Sequence, residues 1–365
     1  MERKVLTVPL IFSIIVAAYL PPILRISIDN SNILVVFMTY MCVAVGLMNR
    51  KISFKRDEIF LLILQLAIAT IAVKANLVSL TIIVLLNVFF NQYDDSANLD
   101  YYTKISFLFF ILVVMSYYLF GFNKTYDSAM WRIDSLVDRS SIGFTQPNQA
   151  MIAWVGTFFG VSLKKNQSNK CIYLLLLVVS TLIYYETKSR TGYIILLAIL
   201  GLMYIFRNSL DRKVSNLMKV FLVNLPLLLM GISAWMTTQA NNSFLNSLLT
   251  GRPVLYKKFF DLAGVTLWGT GLIENQMLDN SYLSMLIGKG VVFTSLYLIT
   301  LMYLVLSARE ISVRTYIVFA LFFIYGLTET MLFKFELLVP IIISLHITGN
   351  INPKDNQQKD RHYIK

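Results

Sequence analysis

Apolar runs of about membrane-spanning length recur from Val5 to Ile347, separated by short polar links. No other feature constrains the fold so strongly, because about 20 consecutive apolar residues in helical form match the hydrocarbon thickness of a bilayer. The runs predict helices over residues 5–24, 33–48, 59–73, 75–90, 104–122, 149–163, 171–185, 191–206, 217–236, 291–306, 313–327 and 335–347. The expected fold class is an all-α polytopic membrane protein with about twelve transmembrane helices. The third and fourth segments are separated only by residues 74–76, so they read either as two short spans or as one re-entrant hairpin. The first run reads as a retained span, since its apolar core is long and Pro21–Arg25 offers no small-residue cleavage site.

Composition agrees with this reading. Charged residues make up 14% of the chain, against about 25% in an ordinary soluble domain, and mean hydropathy is +0.66. Polar stretches are too short for a core of their own, so residues 1–350 read as one polytopic domain followed by a polar tail, 351–365. Cys42 and Cys171 both lie in or beside apolar runs, which supplies neither a disulfide framework nor a metal-site spacing.

Basic loops are retained in the cytoplasm, which gives the orientation. With the N-terminus inside, the inner loops hold 20 of the 32 Lys and Arg residues. Arg50, Lys51, Lys55 and Arg56 crowd one of these loops, and Arg207, Arg212, Lys213 and Lys219 another. Both termini are expected in the cytoplasm, and the location a cytoplasmic membrane. The net charge of +12 then reflects topology and anionic headgroups; no basic face with interleaved aromatics is organised for nucleic acid.

On this topology the long outer loops are 123–149 and, before the tenth span, 237–280, the latter expected to carry short interfacial helices. In these loops and the outer link 186–190, Arg132, Arg139, Arg190 and Arg252 run against the charge bias. Each is either tolerated or held there for a purpose. Arg190 lies in SRTG at the mouth of an apolar helix, with Ser189 a candidate N-cap, so backbone donors and a positive helix end converge beside its guanidinium. Such a place binds phosphate. Arg252, in TGRP, has Gly251 before it and Pro253 in the first turn of a short amphipathic helix over 253–262. In that helix Val254, Leu255, Phe259 and Leu262 can face the membrane while Tyr256, Lys257 and Lys258 sit at the interface; the plainer alternative is an interfacial helix whose arginine snorkels.

Asp279, in LDNSYL, is either an N-cap carboxylate or a general base, and the sequence leaves both open. Glu274 is the substitute base, and Glu329, in LTET, a third carboxylate on the same side. Asp94, Asp95 and Asp100 read as a solvated inner loop in preference to a cation site. Trp131, Tyr256, Trp268 and Tyr282 are placed either to stack on sugar rings or to sit at the interface. His346 reads as a helix-end residue, and His362 lies in the tail.

Five segments in order, GFTQPNQA (143–150), SRTG (189–192), TGRP (250–253), LDNSYLSMLIGKGVV (278–292) and YGLTET (325–330), resemble the signatures of Wzy-type polysaccharide polymerases and the related O-antigen ligases. The resemblance implies a metal-independent inverting glycosyltransferase with no cofactor, acting at the outer face. Its donor is a growing glycan on polyprenyl diphosphate, its acceptor a single repeat unit on a second carrier, and a chain-length regulator is the partner it implies. Carried onto this chain, Arg190 and Arg252 match the arginines that hold the diphosphates, with Asp279 the third catalytic candidate; Arg139, Arg132, Asn148, Asn280, Tyr282, Lys258 and Glu329 are the substrate-binding candidates, and no metal ligand is implied. Asp279 falls where ligases commonly carry a histidine, a departure that favours polymerase over ligase. The competing class is a carrier or flippase of lipid-linked oligosaccharides. Such proteins show internal repeats and a long link between halves, whereas the link here between the sixth and seventh segments is only residues 164–170.

Overall fold

A computed structural model of the chain describes residues 2–24, 28–49, 52–72, 78–93, 96–132, 135–164, 170–249, 251–270 and 278–347. A helix stands at each of the twelve expected positions: α1 (Glu2–Leu24), α2 (Ile28–Met48), α3 (Arg56–Ala72), α4 (Val78–Gln92), α5 (Ser96–Phe120), α6 (Pro147–Ser162), α7 (Lys170–Thr187), α8 (Arg190–Ile205), α9 (Asn216–Thr238), α13 (Gly290–Ser307), α14 (Val313–Tyr325) and α15 (Phe335–Ile347). Three shorter helices lie between α9 and α13, namely α10 (Ser243–Leu248), α11 (Arg252–Ala263) and α12 (Ser281–Leu283).

Among the described residues, three helical stretches are long and apolar enough to cross a membrane, Ser96–Phe120, Asn216–Thr238 and Ser281–Ser307, and several shorter apolar helices accompany them. Their outward faces are apolar as well. Phe107, Leu108, Leu112 and Met115 on α5 and Leu217, Phe221 and Leu228 on α9 are exposed, a surface suited to lipid and not to water. The apolar helices mark a membrane protein.

Helix starts follow local chemistry. The Lys55 amide donates to the Glu58 carboxylate at 2.7 Å where α3 begins, Ser215 accepts from Met218 N at the start of α9, and Ser312 accepts from Thr315 N at the start of α14. Each bond satisfies a donor at a helix start that the helix cannot satisfy itself, the N-cap amide at α3 and a first-turn amide at α9 and α14. Burial then sorts the helices. α6 is buried along almost its whole length, packed against α5, α7, α8 and α15, while α14 packs on α8, α9 and α15. This brings the first turns of α6 and α8 to the same end of the molecule as the last turn of α14.

Two departures from the expected picture bear on function. The 123–149 loop contains an antiparallel hairpin, β1 (Ser128–Arg132) with β2 (Ser135–Arg139), in which Ser128 pairs with Arg139 and Trp131 with Leu136. Its alternation is only five residues long on each side and was hidden by the charged residues among it. Asp127 anchors the hairpin: its carboxylate accepts from Tyr117 Oη at 2.7 Å and from Ser141 N at 2.8 Å. The second departure is the tenth segment. It begins at Ser281 and not near 291, because α12 runs through a π turn (Ser284–Lys289) into α13. LDNSYL therefore opens the tenth helix itself, well before the start expected for that span. α5 likewise begins at Ser96, so Asp100 is helical.

Candidate functional site

Six side chains from separate elements meet where α6, α8 and α11 begin. The stretch before α12 and the loop after α14 supply the two carboxylates. Ser281 fixes that loop: its hydroxyl donates to Glu329 O at 2.6 Å and accepts from Met331 N and Leu332 N, and its amide donates to Gly326 O. Thr330 Oγ1 donates to Leu278 O at 2.7 Å, a second stitch between the same two stretches. Asp279 and Glu329 are thereby set beside each other by backbone, not by their own charges.

Glu329 is the centre of the cluster. It is 3% exposed. Thr191 Oγ1, from the first turn of α8, donates to Oε1 at 3.0 Å, and Asn148 Nδ2, from the first turn of α6, lies 3.2 Å from Oε2. Asn148 in turn accepts from Arg139, whose Nε donates to Thr187 O at 2.9 Å. Arg252, the first residue of α11, holds its Nη2 3.7 Å from Glu329 Oε1 and 3.9 Å from Asp279 Oδ2. Gly251 makes that approach possible by taking a left-handed φ of 78° as the N-cap of α11.

Those two separations decide what Arg252 is doing. They are too long for hydrogen bonds, and Arg252 makes no side-chain hydrogen bond to another described residue. Its side chain is 18% exposed. The guanidinium is thus balanced by two carboxylates while its fork of donors stays unspent among the described residues. Burial pushes the Glu329 carboxyl up to about 7; the nearby Asp279 charge pushes the same way, and Arg252, the Thr191 hydroxyl and Arg139 oppose it. Burial also raises the Asp279 carboxyl, against the pull of Arg252 and Arg139.

The structure places the other sequence candidates as follows. Asp279 is not the N-cap of the following helix; Asn280 is, its side chain accepting from Leu283 N at 3.0 Å and donating to Ser233 Oγ at 3.1 Å. Arg190 is the first residue of α8, exposed, and without a hydrogen bond or ion pair to another described residue. From SRTG it is Thr191 that reaches the cluster. Ser189 occupies the N-cap position but makes no capping bond. Tyr282 is fully buried and donates to Phe323 O at 3.0 Å, so its expected contact with substrate is replaced by a packing role. Lys258 is exposed on α11 and lines a groove with Lys257, Asp261 and Asn241. Arg132 ends β1, and its side chain, like that of Trp131, lies outside the described residues.

α11 departs from its expected amphipathic reading at two residues. Tyr256 and Phe259 face inward with Pro253, while Val254, Lys257, Lys258 and Leu262 are exposed. Tyr256 Oη lies 2.9 Å from Asp279 O and 3.3 Å from Leu327 O, and burial pushes its phenol up to about 12, which keeps it a donor. Tyr256 thus ties the helix carrying Arg252 to the strip carrying Asp279. Trp268 is 40% exposed. Glu274, Asp94, Asp95 and His362 lie outside the described residues. Asp100 pairs with Lys164 at 2.7 Å, and buried His346 bonds Asn87 at 2.9 Å.

Two contributors were missed by sequence reasoning, Thr191 and Tyr325. Thr191 had a signal, since it sits inside SRTG beside the arginine that drew attention. Tyr325 is fully buried and its hydroxyl has no hydrogen-bond partner among the described residues.

Comparison with protein-family models, with curated proteins and with solved structures returned no match.

Proposed function

We propose that the chain is a multi-pass protein of the cytoplasmic membrane, with about twelve spans and both termini inside, that joins oligosaccharide repeat units carried on polyprenyl diphosphate, as its Wzy-type resemblance implies. The observation that carries the proposal is Arg252, held 3.7 and 3.9 Å from two carboxylates with its donors unspent. A guanidinium in that state is ready to take an incoming phosphate oxygen through two parallel bonds.

In the proposed reaction an acceptor hydroxyl attacks the anomeric carbon of the donor. The bond from that carbon to the diphosphate oxygen breaks with inversion, and the hydroxyl proton passes to a carboxylate. The diphosphate is a good leaving group, so the protein's main tasks are to hold its growing charge and to orient the attacking oxygen. Arg252 does the first. Arg190, exposed on the rim, meets the diphosphate as it arrives. Glu329 is the better base of the two carboxylates, because a group that titrates near 7 is matched to proton transfer at neutral pH; Asp279 balances Arg252. Arg139 and Asn148 hold Glu329 in place.

The test is incubation of the purified, reconstituted protein with the lipid-diphosphate-linked repeat unit of its own host, with EDTA present, followed by electrophoretic separation. A ladder of lengthening lipid-linked glycans is expected. Movement of intact substrate across the vesicle bilayer with no ladder would instead make the protein a flippase.

A further inference from the structure

Glu329 is held by two donors, Thr191 and Asn148, and one more donor stands close by unused. Tyr325 lies one helical turn before Glu329, whose amide bonds Tyr325 O at 3.2 Å. Its side chain is 0% exposed and its hydroxyl is without a partner among the described residues. A buried hydroxyl left unsatisfied is a cost that folds rarely carry without a use. The hydroxyl lies against Gly192: a Cβ on that residue would stand 2.8 Å from Tyr325 Oη and 2.4 Å from Met151 Cγ. Gly192 is the neighbour of Thr191, whose hydroxyl bonds Glu329 at 3.0 Å. The Tyr325 hydroxyl and the Glu329 carboxylate therefore converge on the same first turn of α8, and the glycine of SRTG leaves the room that the hydroxyl occupies.

We propose that Tyr325 is a positioning residue for the base: its hydroxyl is the reserve donor that Glu329 takes up when it ionises, and Gly192 keeps the space in which it turns. The proposal rests on the assignment of Glu329 as base. A neutral carboxyl gives one oxygen over to its own O–H, whereas a buried carboxylate has lone pairs for more donors than the two that Thr191 and Asn148 supply. The charged groups facing Glu329 are Arg252 from α11, Arg139 from β2 and Asp279 from the strip before α12; Tyr325 adds a neutral donor to these from α14. Filling the unsatisfied bond at the moment of ionisation makes the carboxylate easier to form and fixes the oxygen that accepts the proton.

The experiment is a pH–rate profile of chain elongation by the full-length reconstituted protein, for the wild type and Tyr325→Phe, with Glu329→Gln as reference. Loss of a hydrogen bond to the ionised form should move the rising limb of the profile to higher pH by about one unit, with the alkaline plateau little changed. A purely packing tyrosine predicts superimposed profiles, since phenylalanine fills the same space without an unpaired hydroxyl, and that result would overturn the proposal. Gly192→Ala is the second variant, in case Tyr325→Phe does not yield folded protein; by pushing on the hydroxyl it should shift the limb in the same direction, and an unmoved limb there counts against the proposal equally. Full activity in Glu329→Gln would remove the base itself and the inference with it, whereas an inactive Glu329→Gln beside an unmoved Tyr325→Phe would overturn the inference alone.

Discussion

Two arginines sit near opposite ends of α14 and use their charge in different ways. Arg314, in its first turn, is 4% exposed; its guanidinium donates to Ser162 O at 3.1 Å and pairs with Asp211 at 3.3 Å. It closes the end of α6 and ties down the Asp211 loop, which is further joined to the α14 start by the bonds of Val313 N to Arg212 O and Arg314 N to Leu210 O. Arg252 stands beyond the other end, by the loop that carries Glu329, with two carboxylates at long range and its donors unspent. Arg314 is engaged as a clamp is. Arg252 is balanced but uncommitted, the condition a site needs if a charged substrate is to displace nothing costly on arrival.

The sharpest way to break this contrast is to remove each arginine in turn. Arg252→Ala should lower polymer formation by about 10³-fold, the upper end of what loss of one preorganised donor costs, with little change in melting temperature. Arg314→Ala should do the reverse. It leaves Ser162 O buried without its donor, a cost of about 1–3 kcal/mol, read as a lower melting temperature in detergent with turnover per folded molecule preserved. Equal loss of stability in both variants would erase the distinction.

Glu329→Gln comes next, with an expected fall of about 10²-fold, the low end for a general base because the diphosphate already leaves easily. The wild-type rate should rise through about pH 7. Stability should run the other way. Folding raises the Glu329 carboxyl from 4.5 to about 7, so its favourable contribution is full below about pH 4.5 and is lost as pH rises through about 7. The glutamine variant should therefore melt higher than wild type at about pH 9 and not at about pH 4, a reversal that thermal scans at the two pH values would check.

Asp279→Asn is expected to cost less, about tenfold, since it removes one of the two charges that balance Arg252. Its signature is directional. The Asp279 charge raises the Glu329 carboxyl, so its removal should move the rising limb of the pH–rate profile to lower pH. A limb that stays in place, measured on the same reconstituted enzyme, would show that the two carboxylates do not sense each other.

How much of this was legible in the sequence depended on what fixed each residue. The helices were legible because lipid demands a long apolar run and the run is visible in one dimension. Arg252, Asp279 and Glu329 were legible as charges on the expected outer side, but their meeting was not, because it is made by Ser281 bonding the Glu329 backbone across 48 positions. The inward turn of Tyr256 was hidden for a related reason. In RPVLYKKFFDLA the charged and apolar residues are so closely interleaved that the helix can bury either face, and the choice is made by Asp279 O and Leu327 O waiting beneath it. Tyr282, an aromatic near a signature aspartate, is open in the sequence to a sugar-stacking or an interfacial place and is instead packed against α14. The hairpin was illegible because five-residue strands with charges among them carry almost no periodic signal.

Arg190 tests the contrast at its weakest point, because it is unspent like Arg252 but exposed, and exposure changes what an arginine can contribute. In water its attraction for a phosphate is screened and held by flexible side-chain geometry, so it strengthens capture of the substrate and adds little to the stabilisation of charge that grows only in the transition state. Arg190→Ala should therefore raise the apparent KM for the lipid-linked donor by a few-fold, with the effect fading as salt is added, while kcat changes little. Arg252→Ala, in a half-buried setting where charge is poorly screened, should act on kcat and show weak salt dependence. If Arg190→Ala instead abolishes kcat, exposure is not what separates the two arginines, and the diphosphate is gripped at the mouth of α8 as firmly as at the mouth of α11.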